Sequence, residues 1–416
     1  MSEAGRPPAW ADSIRDERRA KGWSQKHLAA ELFKAASTCS VVLPEFDSVV
    51  RRIKSHEAGT YKPKDPYPLL YCRVFGIDEA ALFQTVPQLA EPAVDDLMEH
   101  ASWVERTNVG DSTIAMLDET RYHLGERHTL TPPAQMLASV LRYHRQVHGL
   151  LHGGKQRLRQ TRELFRIDAD LLAHACILMG DLYDDESAAV YGEAARLSAE
   201  EADASQAAAL SAQAKTERWR RRYTTSADAA RRGFDCSPAT PLRVLLACQE
   251  ANAASLLGDF SRAQAALFRA EDAAQVVSDD SGVTPWSCPA PRRSLYALSV
   301  ALQAGDARAA LDAADAAESA WADGVPRVVA SWAQVRFGAG IAYVMMNDVE
   351  AAAEHIAPAL LLPPEHRLAT ITSYLVRMDS RLQMPQFRGS DTVSTLREQI
   401  SAFTSARALL PATEDA

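Results

Sequence analysis

Between Pro133 and Pro238 the chain runs for 104 residues without a proline. Proline is the residue that most strongly interrupts a helix, so helix can continue across this whole stretch. The stretch is also rich in Ala, Leu, Glu and Arg, which favour helix intrinsically. Strand signals are scarce, and Val41-Val42-Leu43 is the best short candidate. The sequence therefore reads as all-α. Three compositional breaks divide it: Thr85 to Pro87, Thr129 to Pro133, and the stretch from Ser278 to Pro291. The first separates a head (1–84) from a connecting segment (85–130). The body (131–416) follows, and the last two breaks read as loops, since helical patterns resume at once after each.

Apolar residues make up 47% and charged residues 24%, which excludes a largely disordered chain. The longest apolar runs, such as Ala359 to Leu362, fall far short of the ~18 residues of a membrane span. The first residues show no apolar signal segment. None of the six cysteines forms a C-x-x-C pair. A cytoplasmic chain with reduced thiols is expected, and no membrane partner. The net charge of −9 is unevenly spread. Residues 1–83 hold 13 Lys/Arg against 11 Asp/Glu, while the remainder holds 32 against 43. A weakly basic head on an acidic body predicts two different tasks.

In the head, Trp10, Ile14 and Arg18 share one face of a helix over Trp10 to Lys21, ended by Gly22. Ser24 is placed to cap a second helix from Gln25 to about Lys34, with Leu28, Ala29 and Leu32 inward. Asp47 is placed to cap a third, Ser48 to His56, with Val49, Val50 and Ile53 inward. Gly59 and Pro63 stop it.

Gly22-Trp23-Ser24-Gln25, Leu28-Ala29, and then Ile53, Glu57, Gly59 and Pro63 resemble the Cro/cI-type (XRE) helix-turn-helix family over roughly residues 8–83. The resemblance implies a five-helix DNA-binding domain, its last helices drawn from Pro66 to Phe83 through Leu69, Leu70, Val74, Phe75 and Leu82. It also implies an ion pair between Arg18 and Glu57. The segment from Ala35 to Phe46 is longer than the family's tight turn and reads as a loop insertion.

The chemistry of the head suits a double-stranded DNA operator. Arg51 and Arg52 fall on the outer face of the third helix, and a guanidinium fork can grip guanine in the major groove. Ser48 and Ser55 lie on the same helix, in reach of a base or phosphate. Gln25 at a helix N-terminus suits a phosphate, as do Lys54, Lys62 and Lys64. Against these stands the simpler reading of a solvated charged face.

The body repeats a short grammar. Leu256-Leu257-Gly258-Asp259-Phe260 precedes Ala263, Leu267 and Ala270. Leu302-Gln303-Ala304-Gly305-Asp306 precedes Ala310, Ala314 and Ala317. Met346-Asn347-Asp348-Val349 precedes Ala352 and Ile356. The turn positions 258, 305 and 347 lie 47 and 42 residues apart. Weaker copies lie at Leu182 to Ala195 and Trp219 to Ala230. These pieces resemble degenerate tetratricopeptide repeats over roughly residues 131–380, which implies a superhelix with a concave groove. An ordinary alanine-rich helical bundle is the alternative. Tyr223, Asn252, Tyr296, Trp332 and Arg336 are the candidates to contact an effector, a peptide or a small molecule, in that groove.

No enzyme is expected. His144, His148 and His152 fall at i, i+4 and i+8, yet no H-E-x-x-H arrangement accompanies them, and no metal site is expected. Asp184-Asp185-Glu186 reads as an acidic turn. Phosphate-loop and nucleophile-elbow spacings are absent, and no cofactor is called for. The combined resemblance is to actinobacterial XRE–tetratricopeptide regulators and to peptide-responsive quorum-sensing regulators. It implies an effector-controlled transcriptional regulator that binds DNA as a homodimer. The competing reading is an interaction scaffold whose head no longer reads DNA.

Overall fold

The computed structural model describes residues 7–83, 94–277 and 280–405. These contain twenty α-helices and three short 3-10 turns, with no strand among the described residues. The protein is all-α. The chain divides into two compact units, residues 1–100 and 101–416.

The first unit holds α1 (Ala9–Ala20), α2 (Gln25–Thr38), α3 (Phe46–Glu57), α4 (Tyr67–Phe75) and α5 (Glu79–Phe83). Gly22 follows α1 at φ +68°, a left-handed conformation that costs glycine nothing. The Ser24 hydroxyl then accepts the His27 amide at 3.1 Å and starts α2. Ile14, Leu28, Leu32, Val49, Ile53, Leu70 and Tyr71 are fully buried in one core.

Four details differ from the sequence reading. Helix α2 continues to Thr38, because Ala36 still faces the core and the Ser37 and Thr38 hydroxyls bond back to the carbonyls of Lys34 and Ala35. The connection to α3 is thereby shortened to residues 39–45. Val41-Val42-Leu43 lies in that connection without strand pairing: Val41 and Leu43 lean on the core while Val42 is 93% exposed. The N-cap of α3 is Glu45, with no side-chain cap, and Asp47 sits in the first turn, favourable to the helix dipole. Leu69, expected inward, is exposed, and Leu70 beside it is buried.

Helix α6 (Val94–Glu105) runs across the division between the units. The second unit continues with α7 (Asp111–Glu126), α8 (Pro133–His152), α9 (Leu158–Asp181), α10 (Asp185–Glu201), α11 (Ala207–Trp219), α12 (Tyr223–Cys236) and α13 (Pro241–Leu257). It is completed by α14 (Phe260–Gln275), α15 (Ala290–Ala304), α16 (Ala307–Ala322), α17 (Val329–Met345), α18 (Val349–Ile356), α19 (Ala369–Leu382) and α20 (Asp391–Ser405). Helix α7, part of the expected connecting segment, buries Ile114, Leu117 and Leu124 in this unit's core and packs on α8 and α9.

Helices α9, α11, α13, α15, α17 and α19 pack each on the next and form an inner layer; α19 also touches α9. Helices α10, α12, α14, α16, α18 and α20 lie against this layer. Close approach is allowed by alanine seams at i, i+3/i+4 and i+7, such as Ala263, Ala266 and Ala270 on α14 and Ala310, Ala314 and Ala317 on α16. At Gly340 on α17 the approach is closer still: a Cβ there would lie 2.4 Å from Ile356 Cγ2 and 2.8 Å from Met378 Cε.

Four of the hairpins share one device. A left-handed residue ends the first helix: Tyr183 (φ +68°), Gly258 (+80°), Gly305 (+80°) and Asn347 (+62°). The aspartate after it caps the second. Asp184, Asp259, Asp306 and Asp348 each accept the backbone N–H three residues on, at 2.9–3.0 Å. Each such cap contributes about 1 kcal/mol.

Candidate functional site

Two regions concentrate chemistry, one in each unit. In the first, a buried carboxylate fixes α3. Glu57 Oε1 accepts Arg18 Nε at 2.6 Å, and Oε2 accepts Arg18 Nη2 at 2.9 Å. Gln25 Nε2 donates to the same Oε2 at 2.8 Å. Arg18 Nη1 reaches the Trp23 carbonyl at 2.7 Å, and Arg15 donates to the Glu57 carbonyl. One carboxylate thus ties α1, α2 and α3 together, and its hydrogen bond raises the Arg18 pKa above the ordinary guanidinium value. Gln25, expected at a phosphate, instead turns its amide inward to Glu57.

The outer face of α3 carries Arg51, Arg52 and Lys54, all exposed, with Ser48 and Ser55 half-buried. Arg51 lies over its own helix, its Nη2 3.3 Å from Ser48 Oγ and its Nε 3.4 Å from the Asp47 carbonyl. Arg52 stacks above the Tyr67 ring at 5.5 Å. Lys62 and Lys64, beyond the helix, are also exposed. Beneath the helix, His56 Nδ1 lies 3.0 Å from the Tyr71 hydroxyl. Burial, aided by Arg52, lowers the His56 pKa to about 4 and keeps the imidazole neutral.

In the second unit the inner helices surround a cavity of about 830 Å³. Of the five expected effector contacts, Tyr223, Asn252 and Tyr296 line it. Trp332 and Arg336 do not. On α17 the cavity face carries Ser331 and Gln334. Trp332 and Arg336, four residues apart, share another face, where the Arg336 guanidinium lies 5.9 Å from the Trp332 ring and 3.0 Å from Glu318 Oε1. Through Glu318, Arg336 joins α17 to α16.

Sequence reasoning missed much of the lining, notably Asp181, Lys215, Arg218, Trp219, Trp321, Tyr374 and Arg377. The run Arg218-Trp219-Arg220-Arg221-Arg222 in an otherwise acidic body was the available signal. Lys215 Nζ donates to Asp181 Oδ2 at 2.7 Å, and burial still lowers the lysine's pKa. Behind it His128 Nδ1 and His174 Nε2 lie 3.0 Å apart. Burial drives the His174 pKa down to about 3 and that of His128 well below its usual value, so both rings are neutral. Tyr296 is pushed up to about 12 by burial.

The remaining candidates are structural. His144 Nδ1 pairs with Asp168 Oδ1 at 2.7 Å, tying α8 to α9, and His148 stacks with His152. No cluster of three metal-ligating side chains occurs among the described residues. Asp184 caps α10, while Asp185 lines the cavity, its pKa raised by burial and by Asp184. No described helix is long and apolar enough to cross a membrane. No protein-family model matches this chain, and no curated protein matches it.

Proposed function

We propose that the chain is a sequence-specific DNA-binding transcriptional regulator, a helix-turn-helix head joined to tetratricopeptide-like repeats that sense an effector. The observation that carries this reading is the mounting of α3. Its inner face is locked by Glu57 through Arg18 and Gln25, while Arg51, Arg52 and Lys54 stand exposed on its outer side. A fixed helix with exposed guanidinium groups is what major-groove reading requires, and Ser48, Ser55, Lys62 and Lys64 would add backbone contacts. The cavity of the second unit supports the sensing half. Its volume lies within the roughly 300–1,000 Å³ that small ligands occupy.

One recognition helix reads few base pairs, so a homodimer on an inverted repeat is part of the proposal. Selection of bound sites from a random DNA pool with the full-length chain tests it. The expected result is a two-fold symmetric site. Recovery of no enriched sequence would sink the reading and leave the scaffold alternative.

A further inference from the structure

The cavity carries an excess of positive charge inside a chain region rich in acid. Five lining residues are cations: Lys215, Arg218, Arg221, Arg292 and Arg377. Only Asp181 and Asp185 oppose them, and Asp181 is already engaged by Lys215. Arg292 Nη1 donates to the carbonyls of Pro285 and Ser287.

Lys215 is paired, Arg292 is held by carbonyls and Arg221 is exposed, whereas Arg218 on α11 and Arg377 on α19 are none of these. Neither has a carboxylate oxygen within 4.0 Å among the described residues. Each is half-buried and rests on an aromatic ring, Arg218 at 4.2 Å from Trp219 and Arg377 at 5.9 Å from Tyr374. Burial first, and then repulsion from Arg381 and Arg218, lowers the Arg377 pKa from its usual value. Two half-buried guanidiniums that face one cavity with no carboxylate beside them repel each other unless an anion joins them. Trp219 Nε1 adds a buried donor with no hydrogen-bond partner. Four more aromatic rings stand in the wall, those of Tyr223, Tyr296, Trp321 and Tyr374.

We infer that the cavity takes a small organic anion, its carboxylate or phosphate group gripped by Arg218 and Arg377 and its flat apolar body laid against Trp219 and the tyrosines. Arginine forks suit both oxyanions, and aromatic walls suit a planar body. This names the effector class of the sensing site and rests on that reading only for its regulatory meaning.

The probe is 8-anilinonaphthalene-1-sulfonate, an aromatic anion whose fluorescence reports binding, with uncharged N-phenyl-1-naphthylamine as its neutral counterpart. On the full-length chain the anion should bind saturably at one site, and more tightly than the neutral dye. The double variant Arg218→Gln/Arg377→Gln should weaken the anion at least ten-fold and leave the neutral dye unchanged, with an unchanged melting profile. Should the double variant misfold, Arg377→Gln alone and a chloride titration of the native chain give the same reading, chloride weakening the anion and sparing the neutral dye. Equal affinity for both dyes, or anion binding indifferent to both arginines and to chloride, would overturn the assignment. Competition by phenyl phosphate and by phenylacetate then ranks the two oxyanions. These titrations read the cavity alone, so failure to select a DNA site would remove the regulator reading without touching them.

Discussion

The Tyr183 hydroxyl lies 2.8 Å from Thr372 Oγ1 and donates to the Arg367 carbonyl at 2.9 Å. It thereby joins the end of α9 to the start of α19, across nearly two hundred residues of sequence. These are the first and last helices of the inner layer, so this contact closes the succession of helices around the cavity. Tyr183→Phe removes the polar part of the closure and keeps the ring. The expected loss is about 1–2 kcal/mol, read as a lower urea midpoint, with faster hydrogen exchange at the α19 amides. Unchanged exchange in α19 would mean the inner layer is closed by packing alone.

Glu57→Ala should destabilise the first unit by about 3–5 kcal/mol, because it strands the Arg18 guanidinium, only 12% exposed, and the Gln25 amide. Hydrogen exchange of α1 to α3 in the intact chain checks it. Protection equal to that of the native protein would show that Arg18 finds another partner.

Acid should weaken both units. The folded pKa of His56 is about 4 and that of His174 about 3, both below the 6.5 of an unperturbed histidine. The unfolded chain therefore binds protons first as pH falls. Stability is fully present above about pH 6.5 and declines through the window down to about pH 3–4. His174→Gln should flatten part of this decline, measured as the urea midpoint at pH 7.5 and pH 5. An equal slope in the variant would place the acid sensitivity elsewhere.

Arg51→Ala and Arg52→Ala should each cost about 1–3 kcal/mol on a selected site, if each reads a base. Lys62→Ala should weaken all DNA alike and lower the salt slope by about one. Normal operator binding by the double arginine variant would remove α3 as the reader. Titrations at two salt concentrations separate these effects.

Gly340→Ala should destabilise the second unit by about 1–3 kcal/mol, because its Cβ would meet Ile356 Cγ2 at 2.4 Å. Gly258→Ala meets no atom within 4 Å and costs about 1 kcal/mol through its φ of +80° alone. Thermal unfolding of the two variants should rank them in that order.

Local signals carried the reading of the fold. Ser24 as a cap, Gly22 as a helix stop, and the turns at 258, 305 and 347 all depend on residues within one helical turn. The end of α2 was missed because Ala35 to Thr38 carries no stop signal, and only burial of Ala36 decides that the helix continues. In the second unit Asn252 and Tyr296 were legible from their offsets to the turns, six residues before Gly258 and nine before Gly305, while Tyr223 carried no such signal. Trp332 and Arg336 were not excluded, since one step around a helix moves a side chain by about 100°. Arg377 could not be found at all: its relation to Arg218 exists only because α19 returns beside the earlier helices.

The hairpins capped by Asp184, Asp259, Asp306 and Asp348 are short and nearly identical, whereas the connections that lead back to the inner layer are longer and of unequal length. Three of those longer connections supply cavity residues, among them Pro285, Pro326 and His366. Helices supply the arginines and aromatic rings of the wall, and these connections supply its rim. Exchange of the rim connections would reshape the mouth of the cavity and leave the helical wall behind it in place, much as a doorway is recut without moving the room.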